Sequence, residues 1–118
     1  SLIQTTPHVK DGKLRALGTG GAKRNPVLPD VPTIGETVPG YEANNWWGML
    51  APVGTPPAIV EKLNKAVSTA LDAPELQNQF AAQGAVVVKM APDEFGKYVV
   101  AETAKWGKVV EKGHITAH

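Results

Sequence analysis

The chain has 118 residues, enough for one domain or parts of two, and 42% of them are apolar, so a buried core is possible. The formal net charge of +1 argues against nucleic acid as a partner, and the absence of cysteine excludes disulfides, thiol catalysis and zinc–thiolate sites. No apolar run approaches the roughly 18 residues that span a membrane, and no signal peptide is evident. Because the first residue is Ser1 rather than Met, we expect processing or truncation.

The first predicted elements are a short helix and a strand. Residues 1–9 have a weak helical pattern that ends before Asp11-Gly12, a pair typical of a turn or helix C-terminus. Residues 14–19, LRALGT, predict a strand. Because Leu17 breaks strict alternation, we expect this strand to be buried on both faces, as in a parallel sheet. Gly20-Gly21 then leads into a connector.

The connector is rich in proline. Residues 23–57 hold seven of the ten prolines in the chain. Each proline restricts φ and removes a backbone donor, which excludes an interior strand or the middle of a helix. One turn of helix is predicted at Thr33–Thr37, stabilised by Thr33 and Glu36. A long connector between regular elements is typical of a passage between two lobes.

The second half begins with a strand and a long helix. Residues 46–51 predict a strand that directs its two adjacent tryptophans to opposite faces. Thr55 is suited to cap a helix whose first residue is Pro56. Apolar residues then recur at helical spacing to about Asp72, which predicts an amphipathic helix.

A shorter helix and a strand follow. Asp72 and Glu75 have the spacing of a capping box, and Gly84 is placed to end the helix that this box begins. Residues 85–88 are a short apolar run that predicts a strand. The predicted strands are too few to form an ordinary sheet alone, so we expect them to require neighbours from elsewhere.

The last predicted helix runs from Pro92 to a stop at Gly113. Ala91 is a poor residue for its cap position, and we expect this end to fray or to use Asp93. The alternation of helices and strands along the whole chain predicts an α/β fold.

Few residues are placed for chemistry. The histidines share no metal-ligand spacing, the acids are scattered over helix faces, and neither serine has a nucleophile setting. Gly18–Gly21 follows a strand, but it lacks the Lys-Ser/Thr ending of a phosphate loop and no helix follows it. Glycine amides at a strand end can approach an anion, and Lys23 and Arg24 would add positive potential. We predict no catalysis, no metal site and no cofactor.

Five motifs occur in order along nearly the whole chain: HVKDGKLRALGTGGAKR, LPDVPTIGE, WWGMLAPVGTPPAIVEKLN, DAPELQNQFAAQGA and APDEFGKYVVAETAKWGKVV. Together they resemble the solute receptors of tripartite tricarboxylate transporters, the TctC or Bug-type receptors. Mature receptors of that family are well over twice this length, so the resemblance covers only their C-terminal portion.

The resemblance implies an α/β fold that forms the C-terminal portion of a two-lobed type II periplasmic binding protein. Residues 1–45 would be the remnant of the second lobe, and residues 46–118 the segment that returns to the first. The complete protein would be a periplasmic receptor, not an enzyme, that binds a small carboxylate for membrane transporter subunits. The candidate ligand-binding residues are Ser1 at a helix N-terminus, where a plain N-cap is the simpler role, and Thr19 and Gly20 at a strand end.

Alone, the chain is expected to bind ligand poorly and to self-associate, by exchange of elements between copies, through exposed sheet edges and apolar helix faces. The alternative is a non-catalytic α/β interaction module in which the tryptophan pair and the prolines form a protein-binding surface. A hydrolase or transferase fragment is a third interpretation, although no nucleophile or base is placed for it.

Overall fold

The computed structural model describes residues 2–116, which form helices and irregular segments. In chain order the helices are α1 (Leu2–Lys10), a 3₁₀ turn (Ile34–Glu36), α2 (Pro57–Ala70), α3 (Pro74–Ala82) and α4 (Pro92–Lys112). None of these described helices has both the length and the apolar character needed to cross a membrane. Apart from the 3₁₀ turn, the proline-rich connector contains no regular element before α2, in accord with its composition.

Two helices end at the glycines that the sequence indicates. Gly12 follows α1 and Gly84 follows α3, with φ of 72° and 74° in the left-handed region that disfavours a Cβ. Beyond Gly12, the backbone N–H of Lys13 donates to the carbonyl of His8 at 2.9 Å, and the equivalent bond after α3 is also 2.9 Å. These bonds satisfy carbonyls at the helix ends in the Schellman arrangement. Both predicted ends are confirmed.

Helices α2 and α3 each begin one residue later than predicted. The first bond of helical spacing in α2 joins the Val60 N–H to the Pro56 carbonyl at 3.2 Å, so the cap position falls on Pro56 rather than Thr55. The cap of α3 is Ala73, with an extended ψ of 124°, and the capping box predicted at Asp72 is wrong. Both helices start with a proline, whose ring disfavours a helical conformation in the residue before it. That preceding residue therefore becomes the cap.

Helix α4 begins at Pro92 as predicted, with Ala91 at the cap position. The methyl side chain of Ala91 accepts no hydrogen bond. The Ala91 backbone N–H instead donates to Oε2 of Glu94 at 3.0 Å, which is the reciprocal half of a capping box. The acidic residue used is thus Glu94 and not the predicted Asp93.

Helix α4 ends at Lys112 with Gly113 as its C-cap residue, so the predicted stop at Gly113 is confirmed. Gly113 has φ of −83°, and the left-handed residue is His114, at φ of 49°. A Cβ on Gly113 would lie 3.0 Å from the Val109 carbonyl oxygen and 3.2 Å from Cγ1 of Ile115. A Cβ at Gly113 would require these neighbours to move by a few tenths of an ångström, so the glycine relieves a close approach and does not serve a positive φ.

The three predicted strands do not form within residues 2–116. Residues 14–19, 46–51 and 85–88 have no strand assignment, and the one described ladder contact is an isolated parallel bridge between Thr19 and Thr33. A strand is defined by hydrogen bonds to a neighbouring strand, so an apolar run alone cannot form one. The expectation that these runs require neighbours from elsewhere agrees with this result.

The chain divides into two compact units. One comprises the residues up to Pro52 together with Thr69–Val87, and the other comprises Val53–Ser68 together with the residues from Val88 onward. Each unit therefore draws on separate stretches of sequence. The predicted division at residue 45 concerns the two lobes of a larger receptor and not these units, and it stays a prediction.

Asparagine side chains join distant segments within each unit. In the first unit, Nδ2 of Asn25 donates to the Gly84 carbonyl at 2.8 Å and so attaches the connector to the end of α3. In the second, Nδ2 of Asn64 on α2 donates to the Met90 carbonyl at 2.9 Å, just before α4. Both bonds use carbonyls that no helix ladder occupies.

The apolar side chains on these elements are at most half-buried. Among residues 2–116 no apolar side chain is buried, and the buried residues are Gly84 and the three threonines Thr6, Thr19 and Thr33. Trp46 is 37% exposed and Trp47 is 70% exposed, so neither tryptophan lies in a core. A self-sufficient domain of this size would bury a substantial apolar core. Exposed apolar side chains such as Leu17, Trp47 and Leu50 therefore remain available for contacts with other polypeptide.

Candidate ligand-binding site

The predicted site lies where the LRALGT segment meets the connector. The Thr19 backbone N–H donates to the Pro32 carbonyl at 2.9 Å, and the Thr19 carbonyl accepts the Ile34 N–H at 2.9 Å. These two bonds form the parallel bridge to Thr33. They hold the end of the predicted strand against the 3₁₀ turn, 15 residues further along the chain. This part of the connector is thus fixed by backbone pairing.

The side chain of Thr19 is the strongest feature of the site. Thr19 is 7% exposed, and its Oγ1 has no hydrogen-bond partner among the described residues. A buried hydroxyl without a partner costs about 1–3 kcal/mol, so such groups are rare in complete folded proteins. A hydroxyl can donate to, or accept from, an incoming polar group. The Thr19 hydroxyl is therefore able to form a hydrogen bond with a ligand.

Gly20 is explained by packing. A Cβ at this position would lie 2.4 Å from the Ala43 carbonyl oxygen, well inside any permitted contact. The Gly20 carbonyl also accepts the Ala43 N–H at 2.9 Å. Because two backbone segments meet here, only glycine fits without displacement of one of them. This contact is enough to explain why glycine occupies position 20. The predicted role of Gly20 in ligand binding stays a prediction.

Arg24 forms a bidentate pair with Glu36. Nε of Arg24 donates to Oε1 at 2.9 Å, and its second terminal nitrogen donates to Oε2 at 2.7 Å. Oε1 also accepts the Thr33 backbone N–H at 3.0 Å, which confirms the predicted stabilisation of the helical turn by Glu36. The positive potential predicted for Arg24 is therefore balanced by a carboxylate. No local sequence pattern predicts this ion pair, whose members lie 12 residues apart.

The ion pair changes the acid–base properties of its members. The hydrogen bonds from Arg24, followed by the backbone N–H of Thr33, lower the pKa of Glu36 to about 2. The same carboxylate raises the pKa of Arg24 above its ordinary value. Both side chains remain partly exposed, so solvent screens their attraction. The pair fixes the geometry of the connector more than it adds charge to a binding site.

The remaining predicted residue, Ser1, lies outside the described residues.

Helix α1 contains a buried polar residue that was not among the predicted site residues. Thr6 is 2% exposed, and its Oγ1 has no described hydrogen-bond partner. The sequence does indicate that Thr6 is buried, because it lies at helical spacing between the apolar residues Leu2 and Val9. A hydroxyl on the apolar face of a short helix is a recognisable anomaly.

The described part of the chain contains no group of three or more histidine, cysteine, aspartate or glutamate residues that could hold a metal ion. Its polar groups near the bridge are one unpartnered hydroxyl and backbone amides. Such groups recognise a small polar or anionic molecule by neutral hydrogen bonds.

Comparison with known proteins extends this description. The family profile described as "Tripartite tricarboxylate transporter family receptor" matches residues 1–115. BugT of Bordetella pertussis is 36% identical over 106 residues, which covers 89% of this chain and 32% of BugT. The chain thus spans about a third of the length of that relative.

Two solved structures share the backbone arrangement. The periplasmic binding protein BugD superimposes with a TM-score of 0.83 at 32% identity, over 97% of this chain and 39% of BugD. MatC of Rhodopseudomonas palustris, solved with bound malate, gives a TM-score of 0.81 at 38% identity, over 92% of this chain and 38% of MatC. The described chain therefore corresponds to part of a larger fold in both.

Proposed function

The chain belongs to the tripartite tricarboxylate transporter receptor family, and we propose that it contributes to capture of a small carboxylate in the periplasm. The family match over residues 1–115 carries this proposal. It confirms the resemblance found in the sequence motifs. It also favours a receptor over the interaction module and the hydrolase or transferase fragment that the sequence left open.

The proposed ligand is an organic acid or an amino acid. Support comes from MatC, which was solved with malate and is 38% identical to this chain. The complete receptor would close two lobes around the acid and deliver it to membrane transporter subunits, without catalysis. Because the chain spans only about a third of BugT, we expect ligand binding to require the rest of that fold.

Within the chain, we assign the ligand contact to Thr19, with Ser1 and Gly20 as further candidates. The unpartnered, buried hydroxyl of Thr19 supports this assignment. A carboxylate oxygen would accept its hydrogen bond and remove the cost of burying it alone. Gly20 has no side chain and its carbonyl already accepts a hydrogen bond from the Ala43 N–H, so it would contribute only its own backbone N–H.

A chimaera tests the proposed function. This chain replaces the matching 38% of MatC, and the product, called the chimaera below, is screened by thermal shift. The acids are malate, other di- and tricarboxylates, amino acids and aromatic acids. We expect at least one acid to raise the melting temperature in a concentration-dependent way. A folded chimaera that responds to no acid, while MatC responds to malate, would count against the proposal.

The variant Thr19→Val tests the site. We expect it to weaken binding of the responding acid by about tenfold, because it removes one hydrogen bond to a charged acceptor while preserving shape. Affinity is measured by isothermal titration calorimetry.

Thr6→Val is the matched control, since it removes the other buried, unpartnered hydroxyl. The control should retain the affinity of the parent chimaera within about twofold. If both variants bind as tightly as the parent, Thr19 does not contact the ligand.

A further inference from the structure

The loop between Thr19 and the 3₁₀ turn is closed at two places. The first closure is the parallel bridge, in which the Thr19 N–H donates to the Pro32 carbonyl and the Ile34 N–H donates to the Thr19 carbonyl, both at 2.9 Å. A Cβ on Gly18 would lie 3.2 Å from Cγ1 of Ile34, so the turn also packs against the residue before Thr19. The backbone that carries the Thr19 hydroxyl is therefore held by this turn.

The second closure is the ion pair between Arg24 and Glu36. Arg24 donates to both carboxylate oxygens of Glu36, at 2.9 and 2.7 Å. Oε1 of Glu36 also accepts the Thr33 N–H at 3.0 Å, and Thr33 is the bridge partner of Thr19. A continuous series of contacts thus runs from the guanidinium, through the carboxylate, to the backbone with which Thr19 is paired.

The ion pair is poorly suited to attract a carboxylate by charge. The guanidinium is neutralised by the carboxylate beside it, and its other terminal nitrogen donates to the Pro29 carbonyl at 3.5 Å. A negative group such as Glu36 near an anion site would by itself oppose the binding of an acid. The contribution that the pair can make is geometric, because a bidentate contact between planar groups fixes the orientation of both.

We propose that Arg24 and Glu36 are positioning residues of the ligand site, which hold the Thr19 hydroxyl in place for the carboxylate by fixing the turn to which Thr19 is bonded. The inference rests on the proposed function and on its assignment of the ligand contact to Thr19. A hydrogen bond weakens steeply as its angle departs from linear, so a small rotation of the Thr19 backbone would lose much of the contact. In this role neither charged side chain touches the ligand.

The variant Glu36→Gln in the chimaera tests the proposal. We expect the affinity for the responding acid, measured by isothermal titration calorimetry, to fall about fivefold. This loss is smaller than that expected for Thr19→Val, because the hydroxyl is displaced rather than removed. The direction of the change is informative. If Glu36 acted only through its charge, removal of a negative group would raise the affinity for an acid.

Glu94→Gln is the matched control. Oε2 of Glu94 accepts the backbone N–H of the cap residue Ala91 at 3.0 Å, as Oε1 of Glu36 accepts the N–H of Thr33 at the same distance. The control thus removes an equivalent carboxylate from the start of another helix. It should retain the affinity of the parent chimaera within about twofold.

A double-mutant cycle separates positioning from a general loss of stability. If Glu36 acts through Thr19, the variant that combines Thr19→Val with Glu36→Gln should bind the acid as weakly as Thr19→Val alone, within about twofold. A merely structural role would lower the affinity by the same factor whether position 19 is threonine or valine. Arg24→Lys keeps the positive charge but loses the bidentate contact, and it should show the same dependence on Thr19. It replaces Glu36→Gln in the cycle if that chimaera does not fold.

Hydrogen exchange without any acid tests the structural step alone. The amides of Thr19 and Ile34, which form the bridge, should exchange about tenfold faster in the Glu36→Gln chimaera than in the parent. Unchanged exchange, or equal losses of affinity with threonine and valine at position 19, would overturn the positioning role. If Thr19→Val weakens binding while Glu36→Gln and Arg24→Lys do not, the ligand site stands and only the positioning role fails. A chimaera that binds no acid overturns the proposed function and this inference together.

Discussion

At the scale of single residues, the start of the connector is determined by contacts with residues much later in the chain. Gly20 is required because the backbone of Ala43 approaches it, and Arg24 is oriented by the carboxylate of Glu36. Neither contact follows a local sequence rule. They are nevertheless specific, since a Cβ on Gly20 and the loss of one nitrogen of Arg24 would each disrupt a defined geometry.

The Arg24–Glu36 pair predicts that the stability of the fold depends on pH. The folded pKa of Glu36 is about 2, below the unfolded value of about 4.3, so the ionised carboxylate stabilises the fold. This contribution is complete above about pH 4.3 and is lost as the pH falls toward 2. We expect the Glu36 carboxyl carbon in the chimaera to titrate near pH 2, measured by NMR.

Arg24→Lys serves as the comparison for this titration. Lysine keeps the positive charge but cannot make the two parallel hydrogen bonds of the guanidinium. The pKa of Glu36 should therefore rise toward its ordinary value in that variant. If Glu36 titrates at its ordinary value in the parent chimaera, the bidentate pair does not persist in solution.

At the scale of elements, the helices are determined locally. Each of α2, α3 and α4 begins with a proline, and the residue before that proline is the cap. Two of these caps, Ala73 and Ala91, have no side-chain acceptor for the free amides of the first turn. The helices therefore begin at positions set by proline stereochemistry and not by strong capping residues.

Ala91→Ser should strengthen the start of α4. A serine hydroxyl would accept an amide of the first turn and complete the capping box whose other half Glu94 already forms. We expect a gain of about 1 kcal/mol in helix stability, measured as greater helicity by circular dichroism and slower amide exchange near Phe95.

The control is Ala101→Ser, at an exposed position inside α4. Serine has a lower intrinsic helix propensity than alanine, so this variant should be less helical, with a helix less stable by a few tenths of a kcal/mol, roughly. An Ala91→Ser chain that is no more helical than the Ala101→Ser chain would show that the cap position is not used in solution.

At the scale of the whole molecule, the described residues bury too little apolar surface to stabilise a fold alone. Ordering the backbone costs about 1–2 kcal/mol per residue, and burial of apolar surface is the main term that offsets it. Because the apolar side chains of the described residues are at most half-buried, the chain gains only part of that term. The family match explains the deficit, since this chain corresponds to 38–39% of the solved receptors.

The chain alone should therefore be weakly structured and prone to self-association, as the sequence analysis predicts. We expect broad thermal unfolding without a cooperative transition, binding of a hydrophobic dye, and an apparent mass that rises with concentration. Light scattering over a range of concentrations measures the mass. A compact monomer with one sharp transition would contradict both this expectation and the burial argument.

By itself, the sequence determined the helices, the glycines that end α1 and α3, the irregular connector and the family, because each depends on short-range stereochemistry or on motifs read in order. Only the tertiary structure decided the Gly20–Ala43 contact, the Arg24–Glu36 pair and the burial of the Thr6 and Thr19 hydroxyls. It also decided that residues 14–19, 46–51 and 85–88 are not strands here. Strand formation and burial depend on neighbours brought together by the fold, and no local pattern supplies those neighbours.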